Sequence, residues 1–461
     1  MKTTRILTLI AIAATMLVTS CSGVKNCRAP ELDLPDAIID NSTDTLTAAD
    51  IEWWNFYGDS ALCAIIGKTL DNNRNLAIAA AHIDELRQLY RISRSEMFPS
   101  VGVNIGANHE TNDYYAKGYV PDPEFDIKAS VSWEADLWGK FRWGKREGMA
   151  KWQASVEDWR ALRISLIAEA AKAYFNLIAL DNELAIVKRT LINRSEGMAK
   201  AKLRFEGGLT SELVYQQTKV EYATAAAMVP DLESRIAMTE NALSLLMGEY
   251  PGARFIDRDD TESDIQVSGE IPTGLPSQLL LRRPDLRARQ QQLRAAMSRV
   301  GITYAERFPS LTISLTGGWE NDDLPGLLKS PFSYVAGAIT GPVFQFGKKK
   351  ARYKAAMAAY EQARLSYEQR VLEAFRETND AVVNYRKARE TTSLRTDSRN
   401  AARKYVELAE LQYRAGSINY IEVLDAQRRY LDAQISHSNS VRNEKLALVE
   451  LYKTLGGGWK E

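Results

Sequence analysis

The chain has 461 residues, of which 45% are hydrophobic and 26% are charged, values that are ordinary for a folded protein. Its 59 basic and 59 acidic residues cancel, so no net charge draws it towards nucleic acid. Because the three histidines lie far apart, and no catalytic triad, metal-ligand motif or nucleotide-binding glycine loop can be assembled, we expect neither an enzyme nor a metal or cofactor.

Residues 1–20 have the features of an export signal. Lys2 and Arg5 precede a short apolar run, and small residues come just before Cys21. The run is shorter than the roughly 20 apolar residues of a membrane-spanning helix. This order resembles a bacterial lipobox, which implies a lipid, such as palmitate, on the cysteine; the alternative is an ordinary secretory signal with an incidental cysteine. We therefore expect a lipoprotein signal peptide over 1–20, a covalent lipid on Cys21 and a lipidated tail over 21–54.

The two halves of the chain share short motifs at nearly constant spacing. Residues 97–101 recur at 307–311, a shift of 307 − 97 = 210, and residues 203–208 recur at 411–416, a shift of 411 − 203 = 208. The shared order predicts an internal duplication, in which each half contains two strands and a long helical hairpin. We place a first repeat at 55–250, a connector rich in proline and glycine at 251–275, and a second repeat at 276–461.

Four segments alternate apolar and polar residues, as strands with two different faces do. The clearest segment runs from Phe125 to Trp133 and has about the length that a tilted transmembrane strand needs. A soluble sheet with one wet face would show the same alternation. We place the strands at about 98–107, 125–135, 308–317 and 334–344. Four strands cannot close a barrel, and an open edge is not tolerated in lipid, so strands that span a membrane would require an oligomer.

Long helices are expected after each pair of strands. Between Gly347 and Gly416 there is neither glycine nor proline, and good helix formers dominate. A continuous helix there would reach about 100 Å at 1.5 Å per residue. Its two apolar stripes have coiled-coil spacing and indicate neighbours on two sides, as in a tube of helices. Gly208 and Gly416 suit the left-handed position after a helix, so we expect the chain to turn back there and form two tips.

Two further motifs are present: one follows the second strand, and the other lies at the start of a helix in the second half. Their residues are Trp133, Asp136, Leu137, Trp138, Gly139, Arg282, Arg283, Pro284 and Asp285. Together with residues 308–310 and 416–427, they resemble the TolC-like outer-membrane efflux channels, specifically the lipoprotein branch that serves resistance–nodulation–division (RND) multidrug efflux systems. We expect most of these residues to specify the fold, and the arginines can bind carboxylates through paired hydrogen bonds.

The resemblance implies an architecture and an assembly. The chain would be mainly α with a small transmembrane β contribution, and a homotrimer would form a β-barrel of about twelve strands continued by a periplasmic α-helical barrel. It would be lipid-anchored in the cell outer membrane. Its partners would be outer-membrane lipid, a periplasmic adaptor (membrane fusion protein) and an inner-membrane RND-type pump.

The second tip carries the candidate channel gate. Glu422 and Asp425 share a helical face with Asp432, and rings of such carboxylates in an oligomer would concentrate cations. Asp425 also matches the family's aspartate in its Leu-Asp-Ala-Gln motif, and Glu422 lies at a second acidic position of some members. The corresponding residues of the first tip, Val214 and Gln217, are uncharged. The alternative is that these acids only solvate the outside of the tip or cap a helix.

These features predict the outer-membrane channel of a tripartite efflux pump, through which small molecules or drugs move passively. The alternatives are the exit duct of a type I protein secretion system and a pore-less coiled-coil periplasmic lipoprotein. Tyr413 matches a tip tyrosine of some relatives, but Ile418 stands where those relatives carry an arginine. The resemblance therefore does not identify the contact that holds the closed gate shut. Cys27 and Cys63 could pair in an oxidising compartment, although two isolated cysteines favour the unpaired state.

Overall fold

A computed structural model describes residues 50–112, 118, 120–252, 282–341 and 344–458. The predicted signal peptide, Cys21, Cys27, most of the tail and most of the connector lie outside the described residues. Cys63 is a free thiol in the described part, so its pairing stays untested. The chain divides into two compact units, and the described part of the second comprises residues 50–80, 157–252, 282–286 and 370–458. The described part of the first unit comes from residues 81–156 and 287–369.

Helices make up most of the described chain, and their lengths repeat between the two halves. In chain order the elements are α1 (Trp53–Tyr57), α2 (Ser60–Asn72), α3 (Arg74–Ser95), β1 (Ser100–Asn112), β2 (Val120–Ala135), α4 (Lys140–Glu206), α5 (Glu212–Leu246), α6 (Pro284–Ala305), β3 (Ser310–Asn321), a 3-10 helix (Leu324–Lys329), β4 (Pro331–Thr340), α7 (Lys348–Arg414) and α8 (Tyr420–Thr454). Helices α4 and α7 have 67 residues each, and α5 and α8 have 35 each. The second member of each pair starts 348 − 140 = 208 or 420 − 212 = 208 residues after the first, which is the spacing of the sequence motifs.

The first unit contains an antiparallel sheet in the order β1-β2-β3-β4. Its register places Val101, Val131, Leu315 and Val335 in one apolar row across all four strands. The adjacent row contains small or polar residues: Ser100, Ser132, Ser314 and Ala336. The apolar face is open to solvent in the single chain, where Val101 and Val335 are 74% and 73% exposed. The alternation seen in the sequence therefore becomes one apolar and one more polar face.

Several strand boundaries differ from the sequence prediction by a few residues. β1 and β2 pair as far as Asn112 with Val120, although the apolar alternation stops at Ala107. Apart from Val120, the residues of the extra pairs are polar or proline and carry no alternation signal. The fourth strand ends at Thr340, so the predicted end near 344 is wrong. Beyond it, Phe346 has a φ of 46°, which is incompatible with an extended strand.

The second unit is built around a core of aromatic and aliphatic side chains. Tyr57, Tyr174 and Tyr452 are almost completely buried in it. The Asp59 carboxylate accepts hydrogen bonds from two backbone N–H groups at the start of α2 and from the hydroxyl of Tyr174 at 2.7 Å. Phe56 stacks on Tyr452 with ring centroids 4.3 Å apart. This core ties the short N-terminal helices α1 and α2 to the long helices α4 and α8.

The long helix α7 carries the two expected apolar stripes. Tyr360 and Val371 of the first stripe are buried, whereas Leu365 and Leu372 of the second are 51% and 66% exposed. One stripe is therefore covered by other parts of the chain, and these two residues of the second stripe are not. In the described part of the chain, no helix combines the length and apolarity needed to cross a membrane.

Candidate functional site

The two predicted tips are tight turns with the same hydrogen-bond pattern. Gly208 follows the end of α4 with a φ of 70°, and Gly416 follows the end of α7 with a φ of 77°. The residue after each glycine donates its backbone N–H to the carbonyl five residues earlier, at 2.8 Å in the first turn and 2.9 Å in the second. This is a Schellman motif, in which glycine adopts the left-handed conformation without the steric cost of a side chain.

Asp425 lies on α8 near the second turn and is paired with two arginines of the same helix. Its carboxylate accepts hydrogen bonds from Nη2 of Arg428 at 2.6 Å and from Nε of Arg429 at 2.7 Å. The hydrogen bond from Arg429 lowers the pKa of Asp425, with a smaller contribution from Arg428. Glu422, in the first turn of α8, is exposed. The assignment of Glu422 and Asp425 as a channel gate stays a prediction. The structure adds that Asp425 is paired with two arginines and that Glu422 is exposed.

The two arginines are the residues of the candidate gate that sequence reasoning missed. They lie three and four residues after Asp425, the spacing at which side chains meet on a helix surface. Residues 422–432 contain three acids and two arginines, so their formal charge is 2 − 3 = −1 and not −3. A ring built from this segment would carry alternating charges, with a small negative excess.

A hydrogen bond joins the two hairpins near their turns. Nη1 of Arg204, on α4, donates to the hydroxyl of Tyr413, on α7, at 2.8 Å. Tyr413 contacts Tyr420 with ring centroids 5.1 Å apart, and both pack against a small apolar cluster that also includes Ile418. Ile418 therefore packs at the position where some relatives carry an arginine. Arg204, which belongs to the other hairpin, places its guanidinium next to the hydroxyl of Tyr413.

The motif that follows β2 builds the start of α4. Asp136 accepts the backbone N–H and the Nε–H of Arg142 at 3.0 and 3.2 Å, which caps the new helix. Gly139, just before the helix, has a φ of 78°. The indole N–H of Trp138 donates to the carbonyl of Pro309 at 2.7 Å. These contacts connect the end of β2 to the start of β3.

The other two residues of this motif also contact the backbone. Nε1 of Trp133 donates to the carbonyl of Met97 at 3.2 Å. The backbone N–H of Leu137 donates to the carbonyl of Ala135 at 2.8 Å. These contacts are hydrogen bonds to the backbone of the fold, and the role of the motif in specifying the fold stays a prediction.

The second motif forms a network of ion pairs in the second unit. Arg283 is buried and donates from Nε and Nη2 to the two oxygens of Asp285, at 3.1 and 2.9 Å. It also donates to Glu377 at 2.7 Å and to the carbonyl of Thr454 at 3.3 Å. Arg370 donates to Asp285 and to Glu377, each at 2.7 Å. The network thus joins the start of α6 to the middle of α7 and the end of α8.

The charges of this network keep its acids ionised. Burial opposes ionisation of Asp285, but the hydrogen bonds and positive charges of Arg283 and Arg370 outweigh burial and lower its pKa to about 2. The pKa of Glu377 is also lowered, because the same two arginines overcome its burial. Arg282 pairs with Asp50 at 3.1 Å, and Pro284 is the first residue of α6, where its missing N–H costs nothing.

Comparison with known proteins identifies the same architecture elsewhere. A family described as outer membrane efflux protein matches residues 65–249 and 275–457. The chain is similar to the solvent efflux pump outer membrane protein SrpC of Pseudomonas putida, with 32% identity over 413 residues, 88% of this chain and 87% of SrpC. It is 28% identical over 480 residues to the probable outer membrane lipoprotein SilC of Salmonella typhimurium, covering 99% of each chain. The solved structure of the outer-membrane channel OprN matches with a TM-score of 0.86 and 27% identity, over 94% of this chain and 99% of that chain.

Proposed function

Because the chain belongs to the outer membrane efflux protein family, we propose that it forms the outer-membrane channel of a tripartite efflux pump. Small molecules or drugs would cross it passively. An inner-membrane pump of the RND class, connected through a periplasmic adaptor, would supply the energy. The family and the similar proteins are efflux channels and not enzymes, which confirms the sequence-based prediction on that point. The predicted outer-membrane location agrees with the family as well.

The observation that carries this proposal is the aligned apolar face of the sheet. Two rows of apolar side chains cross all four strands on one face, Val101/Val131/Leu315/Val335 and Ile105/Ile127/Trp319/Pro331. On the other face the rows shared by β1, β2 and β3 are small or polar, whereas β4 contributes Phe332 and Tyr334. A transmembrane barrel needs this pattern, because one face meets lipid and the other meets the lumen. In the described part of the chain the edge strands β1 and β4 each have one partner in the sheet, and in a closed barrel further strands would come from other copies of the chain. Three copies would supply about twelve strands, which supports a homotrimer.

The recurring helix lengths support the helical part of the channel. In a trimer, two hairpins per chain would give near-sixfold symmetry to a periplasmic tube, with the turns at Gly208 and Gly416 forming its end. The constant 208-residue shift of these helices supports an internal duplication. The lipid on Cys21 is part of the same proposal, supported by the residues around the cysteine and by the similarity to a protein described as a lipoprotein.

The gate is assigned to the second tip. Three copies of Glu422 and Asp425 would form rings of carboxylates at the end of the tube and favour cations over anions. The pairing of Asp425 with two arginines makes the exposed Glu422 the more available carboxylate of the two. The bond between Arg204 and Tyr413 is a candidate for the contact that holds the two hairpins together in a closed state.

Single-channel recording of the purified full-length protein in planar bilayers tests the proposal. We expect discrete conductance steps, and the absence of any pore at every pH and voltage would instead support a pore-less structural lipoprotein. Crosslinking at the two tips, followed by mass spectrometry of the captured adaptor, separates the remaining alternatives. An adaptor that works with an RND pump supports drug efflux, whereas the adaptor of a type I secretion system would contradict it.

A further inference from the structure

A groove in the second unit is lined by basic side chains from three helices. Its volume is about 590 Å³, and it lies between residues 175–189 of α4, Arg399 of α7 and residues 434–445 of α8. The cationic residues that line it are Arg189, Arg399, Arg442 and Lys445. No aspartate or glutamate is among the described residues that form its lining. The groove therefore has the lining of a site for an anion.

The same groove has an apolar wall. Phe175, Ile178 and Ala179 line it from α4, and Val441 lines it from α8. Phe175 is buried, and Ile178 packs against the main core of the unit, so these side chains are held in place. A concave site with an apolar wall and a few charged groups is the usual composition of a small-molecule site. A bare inorganic ion would leave this wall unused.

Arg399 is positioned by a neutral histidine. Its Nη1 lies 3.3 Å from Nδ1 of His437, and Nε2 of His437 lies 3.1 Å from the hydroxyl of Thr396. A guanidinium can only donate, so Nδ1 accepts and the ring proton is on Nε2. Burial lowers the pKa of His437, and the charge of Arg399 lowers it further, which favours this neutral form. The imidazole therefore orients Arg399 without cancelling its charge.

Glu183, a buried acid that does not line the groove, leaves part of the positive charge of the arginines uncompensated. Glu183 interacts with Arg442, but burial raises the pKa of its carboxyl group. Even a fully ionised Glu183 could balance only one of the three arginines that line the groove. The remaining positive charge attracts anions, and charge-assisted hydrogen bonds from guanidinium groups suit a carboxylate or sulfonate.

We propose that this groove binds an organic anion that carries a carboxylate or sulfonate on an apolar body. The anionic group is held by Arg189, Arg399 and Arg442, and the apolar body lies against the wall that contains Phe175 and Ile178. This binding does not rest on the proposed export function, because it requires no pore.

Fluorescence titration of the full-length protein in nanodiscs tests the proposal with two matched dyes. Anilinonaphthalene sulfonate is the anionic probe, and phenylnaphthylamine has the same rings without the sulfonate; empty nanodiscs give the background. We expect the sulfonate to bind more tightly than the neutral dye. Arg399→Gln should raise the Kd of the sulfonate about tenfold, the effect of losing one hydrogen bond to a charged group. The Kd of the neutral dye should stay unchanged.

The control is Arg376→Gln, which removes the same charge from an exposed position on α7 that does not line the groove. Its dye affinities should equal those of the parent protein. Arg189→Gln changes an exposed side chain on a different helix and provides the test if Arg399→Gln does not fold. Equal affinity of the parent protein for the two dyes would overturn the proposal. So would an equal loss in Arg376→Gln, or no loss of sulfonate binding in a folded groove variant.

Discussion

Arg204 donates a hydrogen bond to Tyr413 at 2.8 Å, and the two residues are 209 positions apart in the sequence. Each precedes the turn glycine of its own hairpin, by four residues in the first and by three in the second. A movement that separates the two turns would break this bond. It is therefore a direct point at which to test whether the hairpins move apart when the channel opens.

Removal of this bond should increase the open probability of the resting channel. We expect Arg204→Gln and Tyr413→Phe to act in the same direction, by up to about tenfold, because each removes a hydrogen bond that involves a charged group. The double variant should differ little from either single variant, because both remove the same contact. Single-channel recording measures all three. Arg414→Gln removes a charge from the same helix end and should leave the open probability unchanged; fully additive effects of the first two changes would contradict the assignment.

The charge balance around Asp425 should control ion selectivity. Asp425→Asn leaves Arg428 and Arg429 without their acidic partner, so we expect the channel to shift towards anions. The reversal potential in a salt gradient measures this shift. Asp397→Asn removes an acid from an exposed position on α7 and serves as the control. An unchanged reversal potential in Asp425→Asn would place this acid outside the lumen.

The lowered pKa of Asp425 adds a pH dependence to this prediction. A carboxyl group whose pKa is lowered keeps its negative charge as pH falls through the ordinary range of aspartate, about 3.9. In Glu422→Gln, the remaining cation preference should therefore persist into this range. In Asp425→Asn, no cation preference should persist at these low pH values. If the two variants lose cation preference at the same pH, the pairing with the arginines does not persist in the working channel.

The features with a local cause were predictable from the sequence. Each turn follows from one glycine after a long helical pattern, and the strands follow from alternation of apolar and polar residues. The pairing of Asp425 with Arg428 and Arg429 was equally local, since the spacings of three and four residues bring these side chains together on a helix. The acidic residues alone predict a strongly negative ring, and only the arginines at these two spacings indicate the pairing.

The features that sequence reasoning could not supply depend on residues far apart in the chain. Arg204 meets Tyr413, and Arg283 meets Glu377 from 94 residues away, and neither pair has a periodic signal. The ends of β1 and β2 were underestimated for a different reason. Backbone pairing continues there through polar residues, and alternation of hydrophobic residues does not reveal such pairing.

The network around Asp285 should make a large contribution to stability. Asp285→Asn removes the negative charge that Arg283 and Arg370 share, and loss of one partner from a buried ion pair costs about 3–5 kcal/mol. Urea unfolding followed by tryptophan fluorescence should show a lower midpoint for this variant. Asp380→Asn, at an exposed position on α7, is the control and should unfold like the parent protein.

Low pH should remove the same contribution. The pKa of Asp285 is about 2 in the folded protein, below the value of about 3.9 for an unperturbed aspartate. A lowered pKa stabilises the fold above the unfolded value, and this stabilisation is lost as pH falls through the folded value. The difference in unfolding free energy between the parent and Asp285→Asn should therefore be constant near neutral pH and shrink from about pH 4 to about pH 2. A difference that is unchanged at pH 2 would contradict this account.

The lipid anchor predicts a difference between two neighbouring cysteines. Cys21→Ser should abolish incorporation of labelled palmitate, because the thiol that accepts the lipid is gone. Cys27→Ser, six residues later, should retain full labelling. Metabolic labelling followed by purification measures both variants. Palmitate on Cys21→Ser would show that the lipid is attached elsewhere, whereas no palmitate on the parent protein would indicate a signal of the ordinary secretory type.

Adjacent residues of β1 provide a test of whether the sheet lies in lipid. Ile105 is on the apolar face and pairs with Ile127, whereas Asn104 is on the opposite face and donates a hydrogen bond to Asp126 at 3.2 Å. An arginine on the lipid face of a barrel costs about 2–4 kcal/mol at the middle of the bilayer. We therefore expect Ile105→Arg to reduce the yield of folded oligomer in lipid bilayers far more than Asn104→Arg, which places the new cation near an acid.

The comparison separates a membrane barrel from a soluble sheet because each position is exposed in the single chain. If the apolar face met only water, an arginine at Ile105 would be tolerated at least as well as one at Asn104. In a barrel, the same substitution must bring a charge into hydrocarbon, and only neighbouring copies of the chain can satisfy the open edge of β1. Equal yields of folded oligomer from the two variants would therefore remove the main support for a shared transmembrane barrel.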